Sequence, residues 1–309
     1  MSGEAVKVVV EIAVGEASHV SLADADAIVA VAQDVGITAI RLVDHVGERQ
    51  TLDASVVAAY LAGKYTDIGW VIDAPTTHNA PYNLARRILS LDRATGGRAG
   101  VVLLAGVGDE VSDAAPPDRD ATDPADRWIE YARILTQLWE SFPSAALIGD
   151  QENAVVAEDA LIRPIDFDGR FYRVAGPLDG PSSVQGRPVL IATEPAKVGW
   201  SRVATIADAV IVAHGEINNA AAELAAALRS AGRRREEVAL LARVNDTRAV
   251  PDLDGWSAAH GVDGIVLAVE GGAREVLSAV RDLAPQASRG RPGTLRTEFA
   301  VPDPERVRA

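Results

Sequence analysis

The residues able to do chemistry in this chain stand singly or in short polar runs. Asp44 and His45 are adjacent, as an acid/base pair would be. Thr76, Thr77, His78 and Asn79 follow Asp73. Later come Thr193 and Glu194, His214 and Glu216, then Arg243, Asn245 and Asp246. Glu270, Gly271 and Gly272 complete the set. Asp44, His78 and His214 are of metal-ligating types, but their spacing matches no metal motif, and no metal site is expected. Gly271 and Gly272 precede a helical pattern, where backbone N–H groups suit a phosphate. A tight turn explains them equally well. No HExxH, GxSxG or Walker pattern occurs. The sequence has no cysteine, which excludes thiolate nucleophiles, thiolate metal sites and disulfides.

Each of these groups sits at the end of an apolar run, so the runs must position them. Strand-like segments cover 6–14, 38–43, 68–73, 99–105, 187–193, 208–213, 237–244 and 264–269. Helical patterns follow at about 22–35, 53–63, 81–95, 124–142, 196–206, 217–231, 252–260 and 272–284. Strands that read as continuous apolar runs are buried on both faces, which implies a parallel sheet. Right-handed βα units repeated in this way close into a (β/α)8 barrel, with an open doubly wound sheet as the alternative. In such a barrel the reactive groups lie where strands end. Asp44 and His45 then point to opposite faces, so they are no pair. Trp128, Tyr131 and Trp139 on the fourth helix read as core or interface.

Residues 107–123, acidic and rich in Pro and Gly, read as a long loop after the fourth strand, and with 143–186 they break the rhythm. Residues 143–186 form an insertion before the fifth strand, with Asp168-Gly169 signalling a two-residue type I′ hairpin. Residues 287–309 are polar and rich in proline and arginine, and are expected to form a surface tail of a single domain spanning 1–309. Aromatic residues make up only 5%, so the core must be Ala, Val, Leu and Ile. A net charge of −14 disfavours nucleic acid and anionic membrane as partners. The N-terminal apolar run lacks a basic flank, and no run approaches the roughly 20 residues of a membrane span. A cytoplasmic protein is expected.

A resemblance adds to this reading. The segments YNLARRILSLDRATGGRAG, RWIEYARILTQLWES, IRPIDFDGRFYRVAGPLDGPSSVQGRPVLIAT and LRTEF resemble, in order, blocks of the bacterial-luciferase-like flavin monooxygenases. The likeness is to the nitrilotriacetate, dibenzothiophene-sulfone and pristinamycin IIA synthase branch, in a short form like that synthase's small subunit. The resemblance implies a luciferase-like barrel and a two-component enzyme. Reduced FMN from a separate flavin reductase and O2 would together oxidise a small organic substrate. It implies cofactor contacts from Asp44, Thr76, Thr77 and Asn79, and a homodimer or a hetero-oligomer with a larger homologue. No catalytic residue is assigned by it.

The match is uneven. Family positions that carry histidine, tyrosine and serine toward the flavin phosphate fall near Ala121, Ala125 and Pro195 or Ala196. A buried phosphate needs several donors. The expectation is therefore a monooxygenase with a weakened flavin site. The alternative is an accessory subunit that no longer binds FMN alone. A deazaflavin-dependent barrel is a third reading.

Overall fold

The strands alternate their side chains between two apolar surroundings, and this closes the sheet on itself. In the computed structural model, which describes residues 6–15, 20–44, 51–106, 117–284 and 293–304, eight parallel strands form a barrel. They are β1 (Lys7–Ile12), β2 (Ala39–Leu42), β3 (Gly69–Pro75), β4 (Ala99–Leu104), β5 (Val189–Thr193), β6 (Ala209–Ala213), β7 (Ala239–Val244) and β8 (Gly264–Leu267). β1 pairs with β2 through Val9 and Ala39, and with β8 through Lys7 and Gly264. With every one of the eight strands paired on both sides, the ring is closed, which removes the open-sheet alternative.

Val9, Ala39, Val71, Val102, Ile191, Ile211, Leu241 and Val266 fill the inside of the barrel. The intervening Val8, Val10, Ile40, Ile72 and Val101 face the helices. Those helices are α1 (Leu22–Val35), α2 (Ala54–Ala62), α3 (Pro81–Ala94), α4 (Pro124–Glu140), α5 (Trp200–Ile206), α6 (Ile217–Ser230), α7 (Leu253–His260) and α8 (Ala273–Leu283). Their starts follow local chemistry. Ser21 and Asp24 form a capping box at α1, and Asp123 accepts the Ala125 N–H ahead of Pro124 at α4.

The α4 aromatics are core. Trp128 Nε1 donates to Leu103 O at 2.8 Å and Trp139 Nε1 to Ala85 O at 2.9 Å. Each fully buried ring contributes about 2–3 kcal/mol, and its polar atom is satisfied.

Between α4 and β5 lie two short antiparallel pairs, Leu147–Asp150 with Val155–Ala157 and Phe167–Asp168 with Arg173–Val174. The turn differs from the two-residue one expected at Asp168-Gly169. Asp168 pairs with Arg173, which leaves 169–172 as the loop, closed by Gly169 N–H on Tyr172 O at 2.9 Å. Gly169 does not adopt a positive φ. A Cβ there would overlap the Glu130 carboxylate, so the glycine serves close packing on α4.

The expectation of a surface tail over 287–309 is corrected for the described part, 293–304. A short helix, α9 (Leu295–Glu298), lies against the strand starts. Leu295, Phe299 and Val301 join the inner cluster, and Arg296 is 1% exposed. Gly69 and Gly100 make the room, because a Cβ on either would meet a Leu295 methyl at 2.8 or 3.0 Å. Leu295 and Phe299, four apart on one helical face, were hidden among polar neighbours.

Arg296 carries the anchor. Its Nη2 donates to Asp208 Oδ2 at 2.8 Å and its Nη1 to Pro302 O at 2.8 Å. Asp208 also accepts from Arg187 Nη1 and Nη2, each at 3.0 Å, and from Leu190 N–H at 2.9 Å. Burial opposes ionisation of Asp208, but Arg187 and Arg296 hold its carboxyl below the ordinary range.

Candidate functional site

Where the strands end, the inside of the barrel stops being apolar. Glu11 follows Val9 by one alternation on β1. Arg41 follows Ala39 on β2, Asp73 follows Val71 on β3, and Arg243 follows Leu241 on β7. All four therefore point inward, above the apolar layer. Arg41 Nε and Nη2 grip Asp73 at 2.8 and 2.9 Å, and Arg41 Nη1 donates to Glu11 at 2.9 Å. Arg243 Nε and Nη2 grip the same Glu11 at 3.0 and 2.7 Å. The result is a chain of alternating charge across the barrel.

Exposure rises along this chain. Side-chain exposure is 2% at Asp73, 7% at Arg41, 12% at Glu11 and 42% at Arg243. Burial would raise the Glu11 carboxyl, but the Arg243 hydrogen bonds and both guanidinium charges hold it below its usual value. Burial pushes Asp73 upward, against the pull of Arg41 and with the Glu11 and Asp44 charges behind it. Glu11 and Arg41 were not foreseen as site residues. A charged residue two positions after a small apolar one, inside an apolar run, was the available signal.

The polar run after β3 builds the mouth wall. Thr76 is fully buried, and its Oγ1 accepts the Gly106 N–H at 3.1 Å, which ties the ends of β3 and β4 together. Thr77 is buried against Gly106, where a Cβ would overlap its side chain. Asn79 closes its own loop. Its Nδ2 donates to Pro75 O at 3.4 Å and Thr77 O at 3.3 Å, and its Oδ1 accepts from Arg87 at 3.1 Å. His78, exposed between them, holds φ at +60°. Asp44 is half-buried immediately after β2. The structure thus gathers Asp44, Thr76, Thr77 and Asn79 at one end of the barrel, with the two threonines and Asn79 engaged in holding the loop. His45 and residues 107–116 of the expected loop lie outside the described residues.

A second wall comes from the segment before β5. Glu130 on α4 accepts three successive backbone N–H groups, from Arg170, Phe171 and Tyr172, at 2.9, 2.8 and 2.7 Å. So held, Tyr172 reaches across to donate its hydroxyl to Thr76 O at 2.9 Å. Its ring meets Tyr131 edge to face at 5.4 Å. Neither Tyr172 nor Glu130 was singled out in the sequence.

Other expected positions are closed to ligands. Gly272 N–H donates to Glu275 at 2.9 Å in a capping arrangement, so this turn already carries a carboxylate where a phosphate was considered. Among the described residues no group of three or more His, Asp or Glu is placed to hold a metal ion, and Asp44, His78 and His214 form none. Ala121, Ala125 and Pro195 are buried, and none offers a side-chain donor. No helix among the described residues is long and apolar enough to cross a membrane.

Comparison with known proteins gives this mouth a context. A family model described as luciferase-like monooxygenase matches residues 6–246. Nitrilotriacetate monooxygenase component A of Aminobacter aminovorans is 30% identical over 53% of this chain and 37% of its own length. A pristinamycin IIA synthase subunit of Streptomyces pristinaespiralis is 28% identical over 53% of this chain and 55% of its own. The dibenzothiophene-sulfone monooxygenase of Rhodococcus erythropolis is 32% identical over 45% and 31%. The chain thus spans about half, or less, of the length of these curated relatives. In structure, EDTA monooxygenase from Chelativorans sp. BNC1 superposes with a TM-score of 0.78 at 19% identity, covering 97% of this chain and 99% of that one. A long-chain alkane monooxygenase gives 0.77 at 16% identity, covering 96% of each. These last two likenesses establish the fold.

Proposed function

This chain belongs to the luciferase-like monooxygenase family, and on that premise we propose that it is a flavin-dependent monooxygenase of the two-component kind. Reduced FMN would come from a separate flavin reductase, and O2 would oxidise a small organic substrate held in the barrel mouth. The observation that carries this reading is the floor of that mouth. A chain of alternating charge, Asp73–Arg41–Glu11–Arg243, spans the barrel at the strand ends and finishes on a partly exposed guanidinium, with Thr76, Thr77 and Tyr172 at the same end of the barrel. Such a mouth excludes water from beneath and orients what enters, which is the protein's share of flavin chemistry.

The residues do not fit a resident FMN. A buried phosphate requires several donors, whereas Ala121, Ala125 and Pro195 offer none where the resemblance puts the phosphate. The reading is of reduced flavin that visits the mouth and leaves it. A second reading follows from the same three residues: an accessory subunit that works beside a larger homologue and binds no flavin alone. For a homodimer, the candidate surface is the groove of about 720 Å³ between α2 and α3, beside the exposed Val56.

Anaerobic titration of the purified chain with reduced FMN separates the two readings. Saturable binding in the micromolar range, and substrate oxidation when reductase, NADH and O2 are added, are the expected results. Absence of binding at high micromolar flavin, with activity appearing only after a larger homologue is mixed in, would establish the accessory role instead.

A further inference from the structure

Arg243 has a geometry that its role in the floor leaves half used. A guanidinium offers two forks, one from Nε with Nη2 and one from Nη1 with Nη2. Glu11 occupies the first fork, with contacts of 3.0 and 2.7 Å. Nη1, the outer corner of the second fork, has no partner among the described residues, and the side chain is 42% exposed. Arg41, the other arginine of the chain of charges, differs at this point: Asp73 fills its first fork and Glu11 takes its Nη1. The guanidinium of Arg243 is therefore fixed in plane by a carboxylate below and open at the top. Its long side chain is already ordered, so a second oxyanion arriving from the mouth meets a donor pair that loses little further freedom on binding.

The neighbouring rim supports this. Lys197 and Arg248 are largely exposed and pair with Glu194 and Asp246 respectively. Ala213, the register partner of Arg243 on β6, is small and exposed. Asp44 and Asp73 lie at the far, acidic end of the charge chain, beyond Arg41. The arrangement is polar along its length, with its positive end in the mouth.

We propose that Arg243 is an anion-docking residue, and that the ligand entering this mouth carries a carboxylate or phosphate group bound end-on by Nη1 and Nη2. This deepens the monooxygenase reading, on which it rests only in taking that ligand to be the substrate or the visiting flavin. The binding claim itself needs neither flavin nor oxygen.

Calorimetric titration of the full chain at low salt tests it, with succinate, its uncharged analogue succinamide, and inorganic phosphate as probes. Arg243→Gln should weaken the anion that binds by about tenfold or more, as expected for loss of a charge-assisted fork, without changing the response to succinamide. Arg243→Lys should recover part of the affinity through its charge alone. Arg243-dependent binding of succinate points to a substrate carboxylate, and of phosphate alone to the flavin's phosphate. Either result supports the site. Equal binding of succinate and succinamide, no saturable binding of either anion at tens of millimolar, or unaltered anion affinity in Arg243→Gln would overturn it. Should Arg243→Gln fail to fold, Arg243→Lys carries the test, because affinity equal to wild type would exclude the fork. Anion binding without any turnover would leave this site standing and remove only the enzymatic reading.

Discussion

The barrel carries a buried ionic cluster at each end, and the two are built to opposite rules. At the strand starts, Asp208 is surrounded by Arg187, Arg296 and the Leu190 N–H, and α9 covers it. At the strand ends, Glu11 bridges Arg41 and Arg243, and the last guanidinium reaches solvent. The first cluster is buried throughout, with only Arg187 Nε lacking a hydrogen bond and lying 3.5 Å from Glu140, while the second ends on a guanidinium open to solvent. A closed cluster stabilises only itself and the chain it ties down. An unfinished one has capacity for a ligand.

Breaking the closed end should have the largest effect. Asp208→Asn leaves Arg296 buried without its ion-pair partner and Arg187 with only Glu140 at 3.5 Å, at a cost of about 3–5 kcal/mol. Urea unfolding at neutral pH checks this, and a loss below about 1 kcal/mol would mean that the cluster behaves like a surface pair.

Next comes Asp92, at the same end. It is fully buried and accepts the Ala99 N–H at 2.9 Å and Gln185 Nε2 at 2.7 Å. Burial pushes its carboxyl up to about 6. The native state thus keeps a proton that the unfolded chain releases near its ordinary value. Asp92 therefore contributes stability below about pH 4 that is lost as pH rises through about 6, amounting to about 3 kcal/mol. Unfolding midpoints measured from pH 4 to 7 should show this loss in wild type and not in Asp92→Asn. Parallel pH profiles would refute it.

At the open end the effects are smaller. Glu130→Gln keeps one acceptor for three N–H groups, and should cost about 2 kcal/mol while freeing the 169–172 loop. Faster amide exchange confined to Arg170, Phe171 and Tyr172 is the readout. Exchange unchanged there would show that Tyr172 is held by its ring contacts and its hydroxyl bond to Thr76 O without help from Glu130. The smallest change in stability is expected for Arg243→Gln, under about 1 kcal/mol because that side chain is partly solvated. A larger loss, by thermal melting, would make the open end structural after all.

The same contrast explains what could be read from the sequence. Strand and helix positions were legible because inner and outer faces are both apolar, so VKVVVEIAV and VVLLA stand out as runs. The mouth was legible only where polar residues follow a run, as at Thr76, Thr77 and Asn79. Glu11 and Arg41 sit within runs, and their pairing depends on the register of β1 with β2, where Glu11 faces Arg41. No local pattern encodes that register. The Glu130 contact joins α4 to a loop 40 residues later, and the α9 segment reached the core by three apolar side chains, Leu295, Phe299 and Val301, among polar neighbours. These are long-range contacts made by few residues, and periodicity does not report them.

The position of α9 also bears on how the molecule is made. The residues that complete the inner layer at the strand starts, Leu295, Phe299 and Val301, are translated after all eight strands. Until they emerge, Gly69 and Gly100 face an unfilled space and Asp208 lacks one of its two arginines. A nascent chain stalled after β8 has every strand it needs to pair, yet its lower end stays wet. Final commitment to the native packing is thereby deferred until synthesis has passed Val301.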